Sequence, residues 1–225
     1  MKTCFVFTSL DNDELHEFAV NEINRYFNIV GILRSNRHSK SVFSRIKKME
    51  EVDYIFNFLS PKKLPKQVIN SVKICSINFH PGSYEYPGVG SASLCIFDGK
   101  KTYGVSAHLM EETIDSGSII CERFFEIPDN SNCDTLFSLA LSECKPLLQD
   151  TLELLQLNSN PDKIRSWSRP AVTRAEFEDW LTLLEVDSTK EIEQKITSAT
   201  HPVFLGPYVK VGSHIFTYLK TESHD

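Results

Sequence analysis

Glycine is scarce in this chain, nine in 225 residues, and none falls into G-x-x-x-x-G-K-[ST], G-x-G-x-x-G or G-x-S-x-G. Those spacings cradle nucleotide phosphates, admit a dinucleotide pyrophosphate or expose an esterase serine, so all three signatures are missing. The six cysteines (Cys4, Cys75, Cys95, Cys121, Cys133, Cys144) form no C-x-x-C pair and lie mostly in apolar runs. Buried free thiols are expected, not a disulfide framework. No run of about 18 apolar residues occurs, and the N-terminus has no basic segment leading into about 7–15 apolar residues. The chain is therefore expected to be soluble and cytoplasmic, with no membrane partner. Lys and Arg number 24 against 30 Asp and Glu, for a formal charge of −6. A phosphate backbone is gripped by clustered cations, so no nucleic-acid partner is expected. There is no internal repeat and no low-complexity tract.

What is present is a sizeable core: 41% of the residues are hydrophobic, enough for one full α/β domain with some remainder. Apolar β-rich runs at Thr3–Phe7, Ile29–Leu33, Tyr54–Leu59, Val72–Phe79, Tyr103–Met110 and Ile119–Phe125 read as strands. Helical spacing over Glu14–Phe27, and over shorter stretches at Ser41–Met49 and Leu64–Ser71, alternates with them. The alternation predicts an α/β fold, a mostly parallel Rossmann-like sheet flanked by helices. Cys133–Leu157 then carries a long apolar stripe, the mark of an amphipathic helix across the sheet.

The polar tract Asn158-Ser159-Asn160-Pro161-Asp162 divides a domain over 1–157 from a smaller appendage over 158–225. Two capping boxes, at Thr173–Glu176 and Ser188–Glu191, place helix starts in the appendage. Tyr208–Val211 and His214–Leu219, joined by Gly212-Ser213, predict a hairpin that must dock on the domain or pair with a second subunit.

The chemistry centres on Asn78-Phe79-His80-Pro81-Gly82. His80 ends an apolar strand, at the edge where an α/β sheet places its crevice, although a turn-capping His is an equal reading of that position. Asn78 lies two residues earlier, so both side chains point to one face of the strand, where a neutral amide can steady an oxyanion. Asp115, in Asp115-Ser116-Gly117, can orient an imidazole or simply form a turn. His108, inside the apolar run Val105–Met110, reads as a packing residue. No H-x-x-x-H, H-E-x-x-H or cysteine pair supports a metal site, and no metal ligand is assigned. Trp167, Tyr84 and Tyr86 are candidates either for stacking on a base or for ordinary packing.

Taken together, Asn78-x-His80-Pro81, Gly104-Val105-x-x-His108-x-Met110 and Ile114-Asp115-x-Gly117 resemble the catalytic core of the folate-dependent formyltransferases over about residues 50–157. The resemblance implies a formyl group carried from the co-substrate 10-formyltetrahydrofolate to an amine, with Asn78, His80 and Asp115 as the catalytic residues. It implies that Asn57, Phe58 and Leu59 on one side, and Glu111, Glu112, Thr113 and Ile114 on the other, hold the pterin largely through backbone groups. Tyr84, Tyr86 and Gly88 fall in the loop assigned to the acceptor.

Departures from the family narrow the acceptor. Thr8-Ser9-Leu10-Asp11 lacks the glycine-rich loop of the enzyme that formylates glycinamide ribonucleotide. Ser83–Ser91 lacks the arginine of the tRNA formyltransferases, so neither acceptor is expected. Glu191–Leu219 resembles the end of enzymes that N-formylate nucleotide-linked amino sugars, where this region often helps dimerisation. The expected acceptor is thus a dTDP-linked amino-dideoxysugar such as dTDP-4-amino-4,6-dideoxyglucose, bound for a surface polysaccharide, and a homodimer is expected. The alternatives are N-formylation of an amino acid such as hydroxyornithine, or a non-catalytic folate-binding module.

Overall fold

The structure, a computed structural model, describes residues 1–36, 38–39, 52–184, 186–202, 204 and 206–218. The helix expected over Ser41–Met49 lies outside the described residues. The chain runs β1 (Thr3–Ser9), α1 (Asp13–Tyr26), β2 (Asn28–Ser35), β3 (Tyr54–Phe58), α2 (Lys66–Ile69), β4 (Cys75–His80), α3 (Ser91–Phe97), β5 (Thr102–Leu109) and β6 (Ile119–Glu126). It continues through α4 (Cys133–Leu157), α5 (Arg174–Trp180) and α6 (Thr189–Ala199) to a hairpin of β7 (Tyr208–Val211) and β8 (His214–Thr217).

Six strands form one mixed sheet in the order β2-β1-β3-β4-β5-β6. The first four are parallel, as the alternation of strands and helices requires, whereas β5 and β6 run antiparallel to their neighbours. The chain leaves β1 for β2 on one side and returns to β3 on the other, which opens a crevice beyond the carboxyl ends of the parallel strands. β3 is buried along its whole length, as a strand covered on both faces must be.

Helix α4 follows its predicted span. Asn132 caps it by accepting from the Thr135 N–H, and Leu136, Ala140, Cys144, Leu147, Leu148, Leu152 and Leu155 are fully buried against the sheet and α1. These side chains join Val6, Phe56, Phe79 and Val105 in the main core. Burying a Leu stabilises by about 1.5–3 kcal/mol, so this stripe is a principal reason the helix and sheet stay together. The six cysteines are free. Burial pushes the Cys4 thiol up to about 12, out of reach of ordinary thiolate chemistry.

Local differences from the sequence reading have local causes. The strand expected from Val72 begins at Cys75, and the helix expected over Leu64–Ser71 shrinks to Lys66–Ile69, because Pro65 can enter a helix only at its start. Helix α3 was not read from the sequence: Gly90 adopts the left-handed φ of 78° and turns the loop directly into it. Ser188 caps α6 through the Glu191 N–H, but only Thr173 forms the full reciprocal box with Glu176.

Candidate active site

The strand register assembles a polar ladder on one face of the sheet. Asn57 on β3 lies opposite Asn78 on β4, and Asn78 lies opposite His108 on β5. Cross-strand partners have neighbouring side chains, and these are bonded. Asn57 Nδ2 donates to Asn78 Oδ1 at 2.6 Å, and Asn78 Nδ2 lies 2.9 Å from His108 Nε2. His80, two residues beyond Asn78, shares the face.

Asp115 enters from the loop after β5 with a left-handed φ of 43°, a conformation Asp tolerates better than most residues. Its Oδ2 lies 3.2 Å from His80 Nδ1 and accepts the Gly88 N–H at 2.8 Å. Its Oδ1 lies 3.1 Å from His108 Nε2 and 3.5 Å from Asn78 Nδ2. Burial alone would push this carboxyl up. The electrostatic pull of His80 first, then the hydrogen bond from His108 and the Gly88 N–H, outweigh it and hold Asp115 well below the usual carboxylate range. The structure thus brings Asn78, His80 and Asp115 together. His108 is buried, as a packing residue would be, yet its ring belongs to the same cluster. That relation is set by register between distant segments, so no local pattern around His108 could reveal it.

His80 is nearly buried and is held at both ring nitrogens: Nε2 lies 3.1 Å from the Tyr86 carbonyl, opposite the bond to Asp115. Gly82 gives this ring its room, since a Cβ there would stand 2.4 Å from His80 Nε2.

The segment after α4 closes over the cluster as a strap. Its backbone is stitched to β6 by Ile164 N to Ile119 O and Ile119 N to Arg165 O, both 2.9 Å. Ser168 N to Tyr84 O (3.0 Å), Val172 N to Pro87 O (3.0 Å) and Val89 N to Val172 O (2.8 Å) join it to the loop after His80. Trp167, held by its indole N–H on the Gly117 carbonyl at 2.9 Å, packs edge-on against both His80 and His108. Arg169 is exposed, its guanidinium 4.9 Å from the centroid of the Tyr86 ring. Neither arginine of the strap was singled out from the sequence, where this stretch has no periodicity.

The remaining predicted residues lie at the end of β3 and in two loops. Asn57 and Phe58 are buried, Phe58 packing on Phe79, and Leu59 leaves β3 at a left-handed φ of 59°, a costly conformation for leucine. Glu111, Glu112, Thr113 and Ile114 form an exposed loop tied across to α2 by the Lys66–Glu112 ion pair at 2.8 Å. Tyr84 is engaged by Arg165 at 4.4 Å and by Phe124 edge-on. The Tyr86 ring is buried and its hydroxyl donates to Asp98, while Gly88 reaches the site through its N–H. A separate cavity of about 320 Å³ lies behind Gly90–Ser93, lined also by Phe137 and Phe177, and none of the acid–base residues faces it.

A family model described as formyl transferase matches residues 9–146. Among curated proteins, the chain is similar to the methionyl-tRNA formyltransferase of Listeria monocytogenes, 28% identical over 137 residues, which are 58% of this chain and 44% of that protein. The chain thus spans less than half the length of that relative. Among solved structures, it overlays a 4-N formyltransferase from Francisella tularensis at a TM-score of 0.74, with 20% identity and 98% of both chains covered. It also overlays an N-formyltransferase from Helicobacter canadensis in complex with folinic acid and dTDP-3-aminofucose, at a TM-score of 0.65 and 17% identity, covering 88% of this chain and 80% of that one.

Proposed function

The chain belongs to the formyl transferase family, and on that basis we propose that it carries the formyl group of 10-formyltetrahydrofolate to the amine of a nucleotide-linked amino sugar. The observation that carries formyl transfer is the convergence of Asn78 and His80 from β4 with Asp115 from the loop after β5 onto one largely buried cluster. An amine attacking a formyl carbon forms a new C–N bond and places charge on the formyl oxygen. The Asn78 amide and the His80 ring are donors suited to that oxygen, and one such donor contributes about 10²–10³ in rate. Asp115, 3.2 Å from His80 Nδ1, orients the ring. As the bond to the folate nitrogen breaks, a proton leaves the attacking amine and one reaches the departing nitrogen, with His80 and Asp115 placed to carry it. His80 Nε2 must then share its hydrogen between the Tyr86 carbonyl and the substrate oxygen.

The pterin is assigned to the cleft between Asn57–Leu59 and Glu111–Ile114, the second of which the Lys66–Glu112 pair ties to α2. Support for a sugar acceptor comes from the overlay with the Helicobacter canadensis N-formyltransferase, whose structure is in complex with dTDP-3-aminofucose. The exposed Arg169 beside the loop Tyr84–Gly88 suits the diphosphate of a carrier nucleotide such as dTDP. In the C-terminal hairpin Val211, Ile215 and Phe216 are each at least half exposed, and an isolated two-stranded hairpin is marginal. A second copy of this chain is the occupant assigned to that face, making a homodimer.

The test is incubation with 10-formyltetrahydrofolate and dTDP-4-amino-4,6-dideoxyglucose, read by mass spectrometry. The formylated sugar is expected. Transfer to hydroxyornithine or to methionyl-tRNA instead would overturn the sugar acceptor and leave formyl transfer standing. Failure with every amine would overturn both.

A further inference from the structure

The hydrogen-bond partners of the two imidazoles differ in one respect. His108 Nδ1 lies 2.8 Å from the Leu109 carbonyl, which can only accept, so that nitrogen carries a hydrogen. Its Nε2 is contested. Asp115 Oδ1 at 3.1 Å asks it to donate, and Asn78 Nδ2 at 2.9 Å asks it to accept. A hydrogen on Nε2 satisfies the carboxylate and opposes the amide, whereas a lone pair does the reverse. His80 has no such conflict. Its Nδ1 faces Asp115 Oδ2 and its Nε2 faces the Tyr86 carbonyl, and both partners accept. Both nitrogens of His80 are satisfied only when both carry hydrogens.

The Asn78 amide nitrogen is kept toward His108 by Asn57, which donates to Asn78 Oδ1 at 2.6 Å, and more weakly by Asp115 Oδ1, 3.5 Å from Asn78 Nδ2. Asn57 Oδ1 is itself buried without a hydrogen-bond partner among the described residues. Turning both amides would give that oxygen a partner but leave the Asn57 NH₂, two donors in place of one acceptor, unmet in a residue only 5% exposed. A buried unmet polar group costs about 1–3 kcal/mol, so the described orientation is the less costly of the two.

We propose that Asn57 is a positioning residue which, acting through Asn78, keeps His108 neutral and places the site's single imidazolium on His80. The groups facing His108 are Asn78 from β4, Asp115 from the following loop and the Trp167 edge from the strap. Those facing His80 are Asp115, the Tyr86 carbonyl and the same indole. Asp115 is the charged partner of both rings, so the orientation of one neutral amide decides between them. The catalytic value of the arrangement rests on the formyl-transfer reading, since an imidazolium at His80 is what an oxyanion at the formyl carbon requires. The location of the proton does not depend on turnover.

The experiment is NMR of the ring nitrogens in full-length protein labelled with ¹⁵N-histidine at neutral pH, with kinetics in parallel. The wild type is expected to show His80 protonated at both nitrogens and His108 at Nδ1 alone. Asn57→Asp, which can only accept, turns Asn78 and moves the proton toward His108. Asn57→Leu removes the donor at similar size without adding charge, shifts the pattern the same way, and carries the test if the first variant does not fold. In both variants kcat falls about tenfold or more, the worth of one hydrogen bond to a charged group. A ring pattern that stays the same in both variants, or a wild type with His108 as the imidazolium, overturns the proposal. A pattern that moves as expected in a protein with no formyl transfer upholds the role of Asn57 and removes the proposed function.

Discussion

The indole of Trp167 meets the ring of His80 edge-on, with centroids 5.5 Å apart and planes at 83°. The strap after α4 therefore supplies a wall of the site, and one aromatic residue touches both imidazoles that flank Asp115. Such edge contacts are worth about 0.5–1.5 kcal/mol beyond the area they bury. Here they also restrict the rotation of two acid–base groups.

Trp167→Ala removes that wall and the bond to the Gly117 carbonyl. Loss of a misplaced or loosened acid–base group lowers kcat about tenfold to a hundredfold, and the partly exposed position limits the loss of stability to about 1–3 kcal/mol. Steady-state kinetics and thermal unfolding check both. Trp167→Phe, which keeps the edge but not the N–H, is expected to recover much of the activity.

Asp115→Asn preserves shape and removes the counter-charge shared by His80 and His108. Formyl transfer is expected to fall by about a hundredfold or more, since general acid–base assistance contributes about 10²–10⁴. The rate of formylfolate consumption measures it, and near wild-type turnover would remove Asp115 from the proposed chemistry.

The same carboxylate sets an acid-stability limit. Its folded value is held below the usual range, so between that value and about 3.9, the unfolded reference, the unfolded chain binds more protons than the folded one. Stability from Asp115 is fully present above about pH 4 and is lost as pH falls through the folded value. Urea unfolding from pH 6 to pH 2 should show a steep acid limb in the wild type and a shallower one in Asp115→Asn.

Gly82→Ala places a methyl where His80 Nε2 and Ser91 Cβ now leave no room, at 2.4 and 3.2 Å. The ring is expected to leave the Tyr86 carbonyl, and kcat to fall at least about tenfold because displacement by about 1 Å can cost a hundredfold. The KM for formylfolate, whose assigned cleft lies elsewhere, should change little.

Phe216→Glu on the hairpin is expected to convert a dimer into monomers without loss of the α/β core, since Phe216 is 60% exposed and contributes nothing to that core. Light scattering after gel filtration reads the outcome. A wild-type chain that is monomeric at assay concentrations contradicts the assigned occupant of this face.

Much of the site was legible because it obeys local rules. The period of two along β4 puts Asn78 and His80 on one face, and the apolar stripe of α4 defines its full span. Asp115 could be read only through its combination with them. His108 looked apolar in setting because its meaning lies across the sheet, opposite Asn78. Trp167, read from the sequence only as an aromatic for stacking or packing, and Arg169, not read at all, sit in a strap without regular structure, held by backbone bonds to distant loops. The antiparallel run of β5 and β6 likewise follows from how the connections are made, which apolar alternation does not encode.

The most direct test of the central claim is single-turnover formyl transfer from 10-formyltetrahydrofolate to dTDP-4-amino-4,6-dideoxyglucose, comparing wild type with His80→Ala. The account predicts N-formylated sugar from the wild type and at least about a hundredfold slower transfer from the variant. Equal rates in the two, or no transfer by the wild type to any nucleotide-linked amino sugar, would contradict it.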